Sequence, residues 1–225
     1  MLLDTLRNDP TNYIHLISLL RTPHEIIVNT EDRLLLHFQE QDTYIAETTT
    51  DDITSFLQVI DDCHTNRLET TNESIYDYFS KKREFYYKCY QYGPFPLDAA
   101  DPHLQLLRQE DLDHVTDTHG EETYIRQLHA RNRLFGYYID GQLIGYAAYH
   151  IDNSVGALYV DPLYRRQGYG GKIISAAASL SNDAYTYSQV LVDNTASLRL
   201  HDSLPLTRSE KIIHWTYDDG FSYKE

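Results

Sequence analysis

The feature that most constrains this chain is a run in which an extended apolar segment, a glycine-rich loop and a helix follow one another. The extended segment spans Val155 to Val160, the loop reads RRQGYGG from Arg165 to Gly171, and a helical apolar pattern continues to about Leu180. Glycines let backbone N–H groups converge on an anion, and a helix N-terminus adds unpaired donors and a favourable dipole. This order of elements predicts a phosphate-binding turn in an α/β fold.

The charge around the loop runs against that of the whole chain. Arg165, Arg166 and Lys172 are cationic, whereas the 225 residues carry 34 acidic and 19 basic side chains and a formal net charge of −15. Such acidity argues against general nucleic-acid binding, which depends on lysine and arginine neutralising phosphates. The sequence therefore predicts a local polyanion site, with a purely structural helix start as the alternative interpretation.

Two common phosphate motifs do not fit the loop. A P-loop requires G-x-x-x-x-G-K-[ST], and a dinucleotide-binding fold requires G-x-G-x-x-G early in a βαβ unit. The run Gly168-Tyr169-Gly170-Gly171 matches neither motif. A nucleotide-binding protein that uses this loop for another diphosphate is a third and weaker hypothesis.

The loop resembles the signature of a known superfamily. Arg165-x-x-Gly168-x-Gly170 matches the [QR]-x-x-G-x-[GA] pattern of GNAT N-acetyltransferases, and it follows a strand that leads into Asp161-Pro162. The resemblance covers roughly Pro102 to Tyr217. The run Phe135-Gly136-Tyr137-Tyr138, the pair Gly145-Tyr146 and an additional N-terminal half are similar to the glycine-N-acyltransferase-like (FR47-like) branch.

The resemblance implies a GNAT-type mixed central sheet flanked by helices, with acetyl-CoA as acyl donor and a primary amine of a small molecule or peptide as acceptor. The implied cofactor-binding residues fall into three groups along the chain: the strand residues Leu158, Tyr159 and Val160 for pantetheine, the loop residues Arg165, Arg166, Gln167, Gly168, Tyr169, Gly170 and Gly171 for pyrophosphate, and Asn194. An ordinary helix cap is the alternative role for Asn194.

The catalytic pattern departs from the family. The family often places a proton-donating tyrosine seven residues after the asparagine, and here that position is His201. Histidine can donate a proton near neutral pH, so His201 is the predicted catalytic acid, with a solvated surface histidine as the alternative. The position where some relatives carry a glutamate base is Ser154, which leaves a water chain or His150 for amine deprotonation. A non-catalytic acyl-CoA-binding or regulatory module is therefore the alternative function.

A segment with three prolines and a glycine, Gly93 to Pro102, excludes regular helix and separates two halves. We predict an N-terminal α+β domain over 1–93, a linker over 94–102 and a GNAT domain over 103–225. The N-terminal half is predicted to contain a helix before Pro23 and strands over 24–29, 33–38 and 43–46. Helices capped by Asp51 or Asp52 and by Ser74 follow, the second running toward Tyr90. The resemblance implies that this half is a degenerate copy of the same fold.

In the C-terminal half, the sequence predicts a strand at 103–107, helices at 111–119 and 121–131, and a hairpin with strands over 134–139 and 142–151. Asp140-Gly141 suits a tight turn between the hairpin strands. A strand over 187–192, a short helix after Asn194 and a last strand over 211–217 complete the predicted domain.

The remaining patterns exclude several classes of protein. The N-terminus meets Asp4 and Asp9 at once, and no run approaches the roughly 20 apolar residues of a membrane helix, so we expect a cytoplasmic protein without a membrane anchor. The 11 histidines form no metal-ligand spacing and the two cysteines lie far apart, so no metal site is expected. Acceptor identity and oligomeric state stay open.

Overall fold

The computed structural model describes residues 1–40, 42–96, 100–150, 152–181 and 183–218. Part of the predicted linker, Leu97 to Ala99, lies outside these ranges, as does Ile151. The helices are α1 (Leu2–Arg7), α2 (Pro10–Leu19), α3 (Thr54–Asp62), α4 (Glu73–Ser80), α5 (Leu112–His119), α6 (Glu122–Ala130), α7 (Tyr169–Ser179) and α8 (Thr195–Asp202). The strands are β1 (Glu25–Asn29), β2 (Arg33–Phe38), β3 (Thr43–Thr48), β4 (Arg67–Thr70), β5 (Phe85–Gly93), β6 (Leu104–Leu106), β7 (Leu134–Ile139), β8 (Gln142–Tyr149), β9 (Val155–Val160), β10 (Ser188–Leu191), β11 (Thr207–Arg208) and β12 (Ile213–Tyr217).

The strands form two sheets. One has the order β1-β2-β3-β4-β12-β5-β10, with β11 also paired to β5, and the other has the order β6-β7-β8-β9. The described residues divide into two compact units, the first within 1–91, 190–193 and 208–218, and the second within 92–189 and 194–207. Helices flank both sheets, so the mixed α/β class predicted from the sequence is confirmed.

The first unit builds hydrophobic cores on both faces of its sheet. Successive side chains of β2 point to opposite faces, because strand side chains alternate. Leu34 and Leu36 pack with α1 and α2, whereas Leu35 packs with α3 and α4. The strands β1, β2 and β3 pair antiparallel, and β3 then pairs in parallel with β4 through the crossover helix α3. The three predicted N-terminal strands are thus confirmed.

Three predictions in the first unit were wrong: the length of one helix and the capping residues of two. The helix expected to run toward Tyr90 ends at Ser80, and the run Phe85–Gly93 forms β5. This run is rich in aromatic residues, which suit a pleated surface, and β12 pairs with its first part, from Phe85 to Cys89. The capping residue of α4 is Asn72, whose side chain accepts from the Ile75 N–H at 3.1 Å, and α3 begins after Ile53 without the expected aspartate cap.

The second unit places an antiparallel meander beneath α7. The hairpin between β7 and β8 turns at Asp140 and Gly141, whose φ angles are +49° and +82°. Both angles are positive, as the predicted tight turn requires. Ile173, Ile174 and Ala177 of α7 are fully buried against apolar side chains of β7 and β8. The helix therefore lies over one face of the meander, with its N-terminus just after the end of β9.

The last strand lies in the first unit. The strand β12 pairs antiparallel with β4 and β5, with Trp215 opposite Glu69 on one side and Tyr87 on the other. The sequence placed this strand within the C-terminal range 103–225. Its apolar pattern predicts a strand, but a pattern of burial does not specify which strand becomes its neighbour.

A similar order of elements occurs twice along the chain. In the first unit a three-stranded meander is followed by α3, β4, α4 and β5, and further along a second meander is followed by α7, β10, α8 and β11. This order supports the hypothesis of a degenerate copy, which stays a prediction. The turn before α3 carries Asp51 and Asp52 and no glycine, whereas the turn before α7 carries Arg165, Arg166 and Gly168, and two more glycines lie in the first turn of α7.

Candidate functional site

The backbone of the glycine-rich loop takes two left-handed conformations before α7 begins. A short 3₁₀ turn at Pro162–Tyr164 leads into it. Arg166 has φ +62°, and Gly168, which occupies the N-cap of α7, has φ +84° and ψ −1°. A Cβ on Gly168 would meet nothing within 4 Å, so the backbone conformation, not a lack of space, requires glycine there.

The start of α7 presents unpaired donors. The first helical bond runs from the Lys172 N–H to the Gly168 carbonyl at 3.3 Å. The backbone N–H groups of Tyr169, Gly170 and Gly171 form no hydrogen bond with another described residue, and no side chain caps this terminus. Three free N–H groups and the positive end of the helix dipole are an arrangement that favours a bound anion.

The next two glycines allow close packing of the helix start. A Cβ on Gly170 would lie 3.3 Å from a methyl group of Leu200, and a Cβ on Gly171 would lie 3.3 Å from one of Leu204. Leu200 lies in α8 and Leu204 just after it. The glycines therefore bring the segment of α8 against the first turn of α7.

The three cationic side chains of the loop region differ in the contacts that they make. The Arg165 Nε donates to the Val160 carbonyl at 2.8 Å, and its guanidinium lies 5.6 Å from the Tyr159 ring centroid. The Lys172 Nζ lies 5.2 Å from the Tyr169 ring centroid. Arg166 is exposed, and its side chain has no ion-pair or hydrogen-bond partner among the residues that the structure describes. Arg166 is thus the cation most available to an incoming anion.

The strand β9 has one edge paired and one edge open. The Asp161 N–H donates to the Ile144 carbonyl of β8 at 2.9 Å. Backbone groups alternate between the two edges of a strand, so the N–H and C=O of Val160 face away from β8, as does the N–H of Leu158. At the start of β9, the Val155 N–H donates to the Tyr187 carbonyl at 2.7 Å. Beyond that point no described strand pairs with the outer edge of β9.

A β-bulge interrupts β9 next to this open edge. Tyr146 pairs with Tyr159 and Ala148 with Gly156, so the single residue between them on β8 faces two on β9. One of these is Ala157, whose φ is +48°. A bulge leaves backbone groups outside the ladder and re-aims side chains, and bulges are frequent next to active sites.

The side chains of the predicted pantetheine strand face two sides. Leu158 and Val160 pack against the core beneath α7. Tyr159 stacks on Tyr146 at a ring distance of 5.1 Å, on the opposite face. Any contribution of these three residues to pantetheine binding would therefore come from their backbone groups.

Asn194 caps α8. Its side-chain oxygen accepts from the Ser197 N–H at 3.1 Å, and the residue is exposed. The alternative role of a helix cap is therefore present in the structure. A cofactor contact through the remaining amide nitrogen stays a prediction.

His201 is buried in α8, with 3% of its surface exposed. Its Nδ1 lies 2.9 Å from the Ser197 carbonyl. A carbonyl only accepts, so Nδ1 carries the hydrogen, and Nε2 is buried without a partner among the described residues. Burial lowers the pKa of His201 below its usual value, so the ring is neutral at pH 7. These facts favour a packing role, while the role of proton donor stays a prediction.

Near the start of β9 the structure adds Tyr124 and Gly156, which were not singled out in the sequence, to His150, which was. Tyr124 of α6 bonds through its hydroxyl to Nδ1 of His150. A Cβ on Gly156 would lie 2.3 Å from Nε2 of His150. No motif marks this contact, because it joins residues from three separate parts of the chain. The one local signal that a side chain approaches the backbone closely here is the pair Gly156-Ala157 in a short apolar strand.

Two negative findings concern the described part of the chain. No group of three or more His, Cys, Asp or Glu side chains converges there as metal ligands would. No described helix is both long and apolar enough to cross a membrane.

Comparison with known proteins shows which protein family this chain resembles. Residues 100–204 match the model of the acetyltransferase (GNAT) family. Among solved structures, a Drosophila protein aligns with a TM-score of 0.58 and 14% identity over 93% of this chain and 90% of its own. A GCN5-related N-acetyltransferase from Kribbella flavida aligns at 0.55 and 11% over 96% of both chains.

A GCN5-related N-acetyltransferase-like protein from Streptococcus suis aligns at a TM-score of 0.53 and 14% identity, also over 96% of both chains. At such identities these likenesses show the fold alone. No curated protein matches the sequence significantly. The finer resemblance to the glycine-N-acyltransferase-like branch stays a prediction. The matched segment contains the glycine-rich loop, α7 and the open strand β9, so this part of the chain carries a domain that matches the acetyltransferase (GNAT) family.

Proposed function

We propose that this protein transfers an acetyl group from acetyl-CoA to a primary amine of a small molecule or peptide. The observation that carries the proposal is the set of unpaired N–H groups at Tyr169, Gly170 and Gly171, placed directly after the open strand β9. A pyrophosphate at these groups would meet three donors, the helix dipole and the free guanidinium of Arg166. A fold match alone would not support a substrate, because one fold hosts many chemistries.

The open edge of β9 suits the arm of coenzyme A. Pantetheine carries amide groups, and an extended amide-bearing chain can bond to a strand edge as an added strand does. The outward N–H and C=O of Val160 and the outward N–H of Leu158 supply such partners, although Arg165 already donates to the Val160 carbonyl. An N–H near the bulge would also polarise the thioester carbonyl, whose oxygen gains negative charge when the amine attacks.

The residues of the second unit would supply binding and orientation, and the thioester of acetyl-CoA would supply the activated acyl group. Residues 165–171 would hold the pyrophosphate, and β9 would align the arm. We propose Asn194 as a further contact at the N-terminus of α8, through the amide nitrogen that its cap does not use.

Two measurements test this function. Isothermal titration calorimetry with acetyl-CoA, CoA and ATP should show binding of both coenzyme forms and much weaker binding of ATP. Thiol release from acetyl-CoA should then rise in the presence of primary amines, amino acids or peptides. Binding without turnover across such a panel would instead support the alternative of an acyl-CoA-binding module. Absence of coenzyme binding would contradict both functions.

A further inference from the structure

Three ring side chains of the second unit form a cluster at the start of β9. The Tyr124 and His150 rings stack with centroids 5.7 Å apart and an interplanar angle of 11°. The His119 ring lies 6.2 Å from the Tyr124 ring. The Tyr124 hydroxyl bonds to Nδ1 of His150, so one ring nitrogen of this histidine is fixed by a neighbour. Many enzymes that transfer protons use a nitrogen base that a neighbouring group orients through a hydrogen bond.

The other ring nitrogen of His150 reaches the backbone of β9. A Cβ on Gly156 would lie only 2.3 Å from Nε2, so any other residue at this position would displace the imidazole. His150 is partly exposed. Its Nε2 has no hydrogen-bond partner among the described residues. The absence of a side chain at Gly156 therefore lets an unpaired imidazole nitrogen lie directly over the strand.

The cluster lies at the opposite end of β9 from the anion site. Gly156 is four residues before Val160, a separation of about 13 Å along a strand. The bulge at Ala157 lies between them, next to Gly156. If the pyrophosphate binds at the loop and the arm runs back along the open edge, the thioester approaches the His150 end. This geometry brings an unpaired base to the place where an acceptor amine must arrive.

The charges around His150 favour its neutral form. Burial lowers its pKa, and His119 and Arg133 lower it further, whereas Asp152 acts in the opposite direction. These groups come from α5, the segment before β7 and the turn before β9, and Tyr124 faces the ring from α6. A neutral imidazole can accept a proton, which an imidazolium cannot.

We propose that His150 is the base that removes a proton from the acceptor ammonium and that Tyr124 positions it. The proposal rests on the function proposed above. The Nδ1–H donates to the Tyr124 oxygen, which leaves the lone pair on Nε2. This nitrogen takes one proton from the ammonium, and the freed amine attacks the thioester carbonyl, forming the C–N bond. The C–S bond then breaks, the nitrogen loses its second proton, and the departing thiolate takes up a proton to leave as the free thiol.

The test compares His150→Gln, Tyr124→Phe and the control His129→Gln. His129 lies in the same unit, and its Nε2 bonds to the Leu107 carbonyl outside the cluster. With an alkylamine acceptor at pH 7, His150→Gln should lower kcat by about 100-fold or more, as loss of a general base does. The KM for acetyl-CoA and its calorimetric affinity should not change, and the control should match the wild-type enzyme.

Two further readouts separate a base from a structural residue. An arylamine is uncharged at pH 7, so the defect of His150→Gln should shrink to below about tenfold with such an acceptor. The acidic limb of the kcat/KM profile should disappear in His150→Gln. In Tyr124→Phe it should move to lower pH, because the imidazolium loses the oxygen that accepts its Nδ1–H.

Three results would overturn the proposal. Wild-type turnover in His150→Gln would show that another group is the base, with the acetyltransferase function intact. An equal loss with both amines, together with a loss of acetyl-CoA affinity, would show a structural role. A wild-type enzyme that binds acetyl-CoA but acetylates no amine would refute the proposed function itself, and the base with it.

Discussion

The substitution Gly168→Ala tests the loop geometry with a single methyl group. Gly168 has φ +84° and open space around the position of a Cβ, so the methyl group adds strain without a clash. A left-handed conformation costs a non-glycine residue roughly 1–2 kcal/mol. The loop is exposed from Arg165 to Gly168, so we expect it to relax there and to turn its N–H groups away from the anion site.

The expected loss falls on binding. A hydrogen bond from an N–H to a charged group contributes about 1.5–3 kcal/mol, so loss of one such bond weakens acetyl-CoA binding by roughly 10- to 100-fold. Isothermal titration calorimetry measures this change directly. Thermal unfolding of the ligand-free variant should stay close to that of the wild-type protein, because relaxation removes the strain.

Gly141→Ala is the matched control. Gly141 has φ +82°, and a Cβ there would also meet nothing within 4 Å, but the residue lies in the hairpin turn between paired strands. The ladder prevents relaxation, so we expect a loss of about 1–2 kcal/mol in stability, or about 2–8 °C in Tm, with acetyl-CoA affinity unchanged. Wild-type affinity in Gly168→Ala would refute the reasoning that this glycine aims the N–H groups of the loop.

Three further predictions concern single side chains. Arg166→Ala should weaken acetyl-CoA binding by about fivefold and reduce its salt dependence, because this guanidinium is free; unchanged affinity at low salt would exclude it from the site. His201→Gln should lower Tm yet keep kcat within about threefold, because the ring is buried and neutral; a tenfold fall in kcat at unchanged stability would instead establish the proton donor. Burial raises the pKa of Glu47 from 4.5 to about 7, so the folded state binds the extra proton and the wild-type protein loses stability as pH rises between these values. Denaturant titrations of Glu47→Gln should show that slope reduced by about 1.4 kcal/mol per pH unit, and an identical slope would contradict the assignment.

Local signals in the sequence predicted much of the backbone geometry around the glycine-rich loop. The positive φ angles of Asp140, Gly141 and Gly168 follow from residue types that tolerate them, and the helix start after Gly168 follows from the order of strand, loop and apolar helix. The strand β9 was predicted with the bounds that it has in the structure. Each of these features depends on a few consecutive residues, which is the range over which propensity and pattern are informative.

Features that depend on distant residues were not predicted. Phe85–Gly93 follows the helix α4 in sequence but forms a strand. Its partner β12 lies more than 120 residues later in the chain. His201 was expected at the surface or in a catalytic position, and its burial depends on how α8 packs against the rest of its unit. The approach of His150 to Gly156 depends on the β8–β9 pairing and on Tyr124 of α6, which no spacing in the sequence encodes.

The central claim is that the N–H groups at the start of α7 bind the pyrophosphate of coenzyme A. The most direct measurement is the set of backbone amide resonances in an ¹⁵N-labelled protein titrated with acetyl-CoA. We predict large downfield shifts for the N–H groups of Tyr169, Gly170 and Gly171, since these donors gain a charged acceptor, and no shift for Gly141. Saturable binding that leaves the three loop resonances in place would contradict the account.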